Sequence, residues 1–305
     1  MKGHLTTVIP LLGRLSLPFS LSRDQVYLLF IVLNELLLGL ETYLAHSLNG
    51  TVRFGEWIPV ASGPIAGIAL LAALALGRRK PRLALVLAVA ALLTSLVVGS
   101  LGTYFHFVRA IRPSAAPGER VTLALLVWGA PLFAPPAFVI AGLLGLVALS
   151  NGEGGSGALT RPLFRRLPLT KDHAYFLLVS LGVVVATVSS LFDHLRGGFE
   201  NPWLWVPLIS GIYGATVALA LAFLQRPGRA DLTVYLLATG LLIVVGPLGL
   251  VLHVLHDLGV GGALVFERFL RGAPILAPMV FANFGLMGLL ALWDPQANLY
   301  RAVNR

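Results

Sequence analysis

Long apolar runs alternate with short polar breaks along almost the whole chain. Runs of mostly apolar residues occupy 24–46, 57–77, 83–108, 122–149, 173–195, 203–225, 232–256 and 273–293, each bounded by charge, proline or glycine. A helix needs ~20 such residues to cross the hydrocarbon core of a bilayer. The pattern therefore predicts an all-α, polytopic integral membrane protein with eight transmembrane helices. Ser22 and Thr170 stand where the first and fifth helices begin, and a hydroxyl there can accept from backbone N–H groups that lack a helical partner. The longest polar break, 150–170, joins a Gly/Ser-rich stretch to an Arg-rich one. It reads as a flexible linker followed by an interfacial anchor.

The polar breaks repeat. Leu21-Ser22-Arg23-Asp24 matches Leu169-Thr170-Lys171-Asp172, and Tyr27, His46, Gly50, Trp57 and Pro59 match Tyr175, His194, Gly198, Trp205 and Pro207, all 148 residues apart. Gly99, Gly102 and His106 match Gly246, Gly249 and His253 at a spacing of 147. Gly129-Ala130-Pro131 and Ala134-Pro135 match Gly272-Ala273-Pro274 and Ala277-Pro278 at 143. Four successive helices thus carry the same ordered landmarks twice. The expected organisation is a lead-in over 1–22, a four-helix repeat over 23–149, a cytoplasmic linker over 150–170, a second repeat over 171–293 and a tail over 294–305. Each repeat has an even number of helices, so both should run the same way through the membrane. They should be related by a pseudo-twofold axis along its normal. The proline pairs are expected to kink or delay the fourth and eighth helices. The matched glycines should permit close helix contact, and Trp57 and Trp205 suit the membrane interface.

Composition agrees with this class. The chain is 57% hydrophobic and 11% charged, with a mean hydropathy of +0.87, whereas soluble domains carry about a quarter charged residues. With no cysteine, disulfides, iron–sulfur clusters and thiolate metal sites are excluded. The net charge of +9 is read through its distribution. Of the 22 Lys and Arg residues, fifteen fall in the segments on the N-terminal side of the membrane and seven in the opposite loops. The excess marks the cytoplasmic side. The lipid bilayer is then the expected partner, nucleic acid is not, and both termini are expected in the cytoplasm of a bacterial cell, with the chain in its inner membrane. The opening run is broken by Pro10 and Arg14 and does not read as a cleaved signal peptide. No Walker loop, HExxH, GxSxG or Arg-rich voltage helix occurs.

Candidate chemistry gathers at one end of the helices. His46, His106, His194 and His253 all close helices that run outward, so the topology takes these four to one membrane face. Neutral imidazole ligates zinc, copper and iron, including haem iron, and these four are the expected cofactor-binding residues. His253, His256 and Asp257 lie at i, i+3 and i+4 on one helical face and form a candidate three-ligand metal set. Glu41, Glu56, Asp193, Glu200 and Asp257 are the candidates to hold the second ring nitrogen of the histidines. Glu35 falls midway along the first helix, beside Asn34. A carboxyl there is costly unless protonated or paired and is expected to face the bundle; Glu35 and Glu41 are the proton-carrying candidates. The second repeat has Val183 and Ser189 in their places.

Three readings are open at this point. The first is a haem- or metal-binding redox protein (copper, iron or zinc), or a subunit of a membrane redox complex or a homo-oligomer. The second is a proton-coupled transporter using Glu35. The third is a structural membrane subunit without a cofactor.

Overall fold

The computed structural model describes residues 21–48, 50, 52–150, 169–259, 265, 267 and 272–292. Most of the expected lead-in, linker and tail lies outside these residues. The described chain forms nine α-helices: α1 (Arg23–Leu48), α2 (Trp57–Leu76), α3 (Pro81–Arg109), α4 (Leu123–Trp128), α5 (Pro136–Leu149), α6 (Lys171–Arg196), α7 (Val206–Phe223), α8 (Arg229–Leu258) and α9 (Met279–Leu292). Six helical stretches among them are long and apolar enough to cross a membrane: α1, α2 with its preceding turn, α3, α6, α7 with its preceding turn, and α8. The protein is thus all-helical and of membrane type. Its exposed side chains agree. Leu29, Leu33, Leu36, Leu40 and Tyr43 form an uncovered apolar stripe on α1, where a soluble helix would present polar groups.

Local chemistry sets the helix starts. At α1 the Ser22 hydroxyl accepts from the Gln25 N–H at 3.3 Å, while the Gln25 side chain accepts from the Ser22 N–H at 2.9 Å, a reciprocal capping box. Thr170 opens α6 by accepting from the His173 N–H. Pro81 and Pro136 occupy the first turns of α3 and α5, where a missing N–H costs no hydrogen bond.

The fourth and eighth spans are broken or delayed at the proline pairs, as expected, and their helices are shorter than the apolar runs. Over 122–149 the chain forms the six-residue α4, a break through Gly129–Pro135, and then α5 of 14 residues. Over 273–293 the helix starts only at Met279 and also has 14 residues. Such a helix is about 21 Å long, shorter than a hydrocarbon core of ~30 Å. The cause is the proline spacing. The carbonyls of Pro131 and Pro274 would ordinarily accept from residues 135 and 278, but those are Pro135 and Pro278, which have no N–H.

Helix neighbours follow one order in each set of four. α1 packs on α2, α2 on α3, α3 on α5 and α5 back on α1; α6 packs on α7, α7 on α8, α8 on α9 and α9 back on α6. The sets meet where α5 touches α6 and α9 touches α1. A reciprocal seam joins them at the helix starts. Arg23 pairs with Asp172 at 2.8 Å and Lys171 with Asp24 at 2.6 Å. Arg23 donates to the Ala291 carbonyl at the end of α9, and Lys171 to the Ala148 carbonyl at the end of α5. Between these pairs the rings of Tyr27 and Tyr175 stack at 4.0 Å with planes 2° apart. Each base therefore neutralises the other set's acid and satisfies carbonyls that the other set's last helix leaves without partners.

Candidate functional site

The opposite ends of these helices carry the four histidines. On α3, Gly99, Gly102 and His106 lie at i, i+3 and i+7 on one face. That face meets the proline break before α5. A Cβ at Gly102 would sit 2.9 Å from the Pro135 ring, and one at Gly249 on α8 2.6 Å from the Pro278 ring. Only glycine allows this approach. It sets each proline segment over the histidine one turn further along. The His106 Nδ1 then donates to the Pro131 carbonyl at 2.8 Å, and the His253 Nδ1 to the Pro274 carbonyl at 2.9 Å. Pro135 and Pro278 cannot donate to these carbonyls, whose backbone partners are instead the Ala134 and Ala277 N–H groups at 3.3 and 3.2 Å.

The other two histidines are held in the same manner by different carbonyls. His46 Nδ1 donates to the Thr42 carbonyl one turn back on α1, at 2.8 Å. His194 Nδ1 donates to the Leu204 carbonyl, in the 3-10 turn Pro202–Trp205, at 3.0 Å. A carbonyl oxygen can only accept, so each Nδ1 carries the hydrogen. In the neutral ring, Nε2 then presents its lone pair. The expectation that carboxylates hold the second nitrogen is therefore corrected. The Pro131 and Pro274 carbonyls, the Leu204 carbonyl of the 3-10 turn and the Thr42 carbonyl within α1 do so, because each stands beside its ring.

The histidines come together within each set. The His46 and His106 rings lie 6.3 Å apart with planes at 57°. His253 is within charge-interaction range of His194 and Asp193. The two surroundings differ. Near His46 and His106 stands Glu56, whose Oε2 accepts from the Arg53 N–H at 2.9 Å and whose Oε1 faces Arg109 at 3.4 Å. Around His194 the acid is Asp193, paired with Arg196 at 3.4 Å. Phe199 stands edge-on to the His194 ring and leans on Trp205. Arg196 also donates to the Val127 carbonyl of α4, and Phe133 packs on Phe192. The proline segment of the first set is thereby tied to the end of α6 in the second.

Other expected site residues lie elsewhere. His253, His256 and Asp257 do not assemble as three ligands: His256 is exposed, Asp257 is buried, and the Asp257 Oδ1 accepts from the Ala273 N–H at 2.9 Å. No group of three or more His, Asp or Glu placed to hold a metal ion occurs among the described residues. Glu41 is exposed on the outer surface of α1 and does not share the interior with Glu35. Glu35 itself is wholly buried, and neither carboxyl oxygen has a hydrogen-bond partner among the described residues. Sequence reasoning missed the charged seam, although its residues lie inside the matched landmarks. The reciprocal Arg/Lys-Asp pattern was its signal. Comparison with protein-family models, with curated proteins and with solved structures finds no match for this chain.

Proposed function

We propose that this is an eight-pass membrane protein of two tandem, parallel four-helix repeats, and that it binds haem for electron transfer at its histidine ends. The repeat relation is supported by the matched sequence landmarks and by the reciprocal Arg23–Asp172 and Lys171–Asp24 pairs. A twofold relation brings residue i to j and j to i in this way. The fourth and eighth passes are completed by the proline segments before α5 and α9, since non-helical backbone at membrane depth is tolerated where protein covers it. Both termini lie on the more basic, cytoplasmic side of a bacterial inner membrane.

The observation that carries the cofactor reading is the shared tautomer. Four histidines are fixed through Nδ1, so that each neutral ring has its lone pair on Nε2, and two of them have rings 6.3 Å apart. The two rings are neighbours at one end of the set, with the same nitrogen of each committed to a carbonyl. Two imidazoles are a poor donor set for a bare divalent ion, which wants three or four protein ligands. They would suit haem, which needs few protein ligands because its iron is already held by the macrocycle. His46 and His106 would hold it in the first set, and His194 and His253 in the second. When bound, the group supplies one-electron exchange. The protein's part is to orient Nε2 and to set the nearby charge, with Glu56 and Arg109 beside one pair and Asp193 and Arg196 beside the other.

The test is the visible absorption spectrum of the purified protein before and after reduction, with metal analysis alongside. A stoichiometric haem spectrum is expected. His106→Ala should remove the first-set contribution and leave that of the second. A colourless protein with stoichiometric zinc or copper would replace haem by an ion, and a protein with neither leaves the structural-subunit reading in its place.

A further inference from the structure

The middle of the first set holds a group that the histidine ends do not use. Glu35 is fully buried on α1, and among the described residues neither of its carboxyl oxygens has a hydrogen-bond partner. The helices packed against α1 offer it no countercharge. α2, α5 and α9 contain no titratable residue at all, and α3 carries Arg82 at one end and Tyr104, His106 and Arg109 at the other. The polar group beside the carboxyl is the Ser95 hydroxyl, itself buried. Ser95 donates its hydrogen to the Ala91 carbonyl at 3.1 Å. Its oxygen can therefore accept a hydrogen bond, and its hydrogen is already committed.

This arrangement suits one protonation state. An ionised carboxylate is acceptor-only, and a buried unpaired one is strongly disfavoured. It would also demand that Ser95 turn its hydrogen away from Ala91. A neutral acid has one O–H, which the Ser95 oxygen can take. We infer that Glu35 and Ser95 form a proton-binding site at mid-membrane depth, present in the first set only, in which the acid donates to Ser95 and Ser95 to the Ala91 carbonyl. Loss of the proton leaves a carboxylate, and the Ser95 hydroxyl rotates to donate to it. Hard metal cations are a worse fit. They take six or more oxygens, and the carboxyl and the hydroxyl supply three. Such a carboxyl, charged only transiently, is the part that a proton-coupled electron-transfer or transport step requires, and the site stands whether or not the histidines bind haem.

Infrared difference spectroscopy of the full chain in lipid vesicles tests this. Wild type minus Glu35→Gln at neutral pH should contain the carbonyl stretch of a protonated carboxylic acid, and Glu41→Gln should retain it. Ser95→Ala should move the band to higher frequency, toward that of an acid with no hydrogen bond. A carboxylate signal in its place at neutral pH overturns the inference. So does removal of the band by sodium ions at fixed pH, which would make this a cation site. Should Glu35→Gln fail to fold, 13C-carboxyl glutamate in a Glu41→Gln background poses the same question. The protonated-acid band must shift with the label, and a band that does not shift overturns the inference.

Discussion

The two four-helix sets share their charged seam and their proline-held histidines and part in their middles. At one end, Arg23 and Asp24 face Lys171 and Asp172 through equivalent bonds. At the other, His106 on Pro131 and His253 on Pro274 are held alike. Between them the matched positions diverge. Glu35 and Ser95 of the first set correspond to Val183 and Leu242 of the second, all four buried. Asn34 exchanges amide hydrogen bonds with Asn283 at 2.8 and 3.3 Å, whereas its counterpart is Gly182, where a Cβ would collide with the Phe284 ring. The ends keep the frame and the ring orientation, and they tolerate little change. The middle of one set is free to carry an acid because the frame does not depend on it. The other set shows what the same position looks like when packing alone decides.

Placing an acid in the second set should break this comparison most severely. Val183→Glu puts a carboxyl at a buried position in the set whose counterpart of Ser95 is Leu242. It should cost about 3 kcal/mol or more, read as an early unfolding transition in detergent. Gly102→Leu or Gly249→Leu comes next, driving a side chain into the proline ring just before α5 or α9. Overpacking of this kind costs about 1–3 kcal/mol, and on the proposed haem reading the variant should also lose the haem absorption of its own set. Lys171→Met leaves Asp24 without its base and removes donors to Ala148 and Ser150. A loss of about 1–3 kcal/mol is expected, and the exchange Asp24→Lys with Lys171→Asp should recover part of it. The smallest effect belongs to Glu35→Val, which copies the second set's solution. Replacing a buried polar group by a well-fitting apolar one should leave stability unchanged or raise it by about 1 kcal/mol. A large loss on Glu35→Val would show that the acid is part of the frame after all.

The sequence alone determined which stretches are helical and apolar, where the caps lie, and that two sets of landmarks recur. These follow from properties that act locally or along one chain: hydropathy over a span, a hydroxyl before a helix, a proline without an N–H. It also placed Glu35 inside, because a carboxyl facing lipid is costly wherever it occurs. The tertiary structure decided the rest. Glycine landmarks signal close contact, but only packing shows that Gly102 and Gly249 receive the prolines and so aim carbonyls at His106 and His253. Spacing put His253, His256 and Asp257 on one face, yet burial separated them: Asp257 turned inward to the Ala273 N–H while His256 stayed exposed. The seam of Arg23, Asp24, Lys171 and Asp172 joins residues nearly 150 positions apart. No local property of either segment pairs them, because the bond exists only once the two sets have come together.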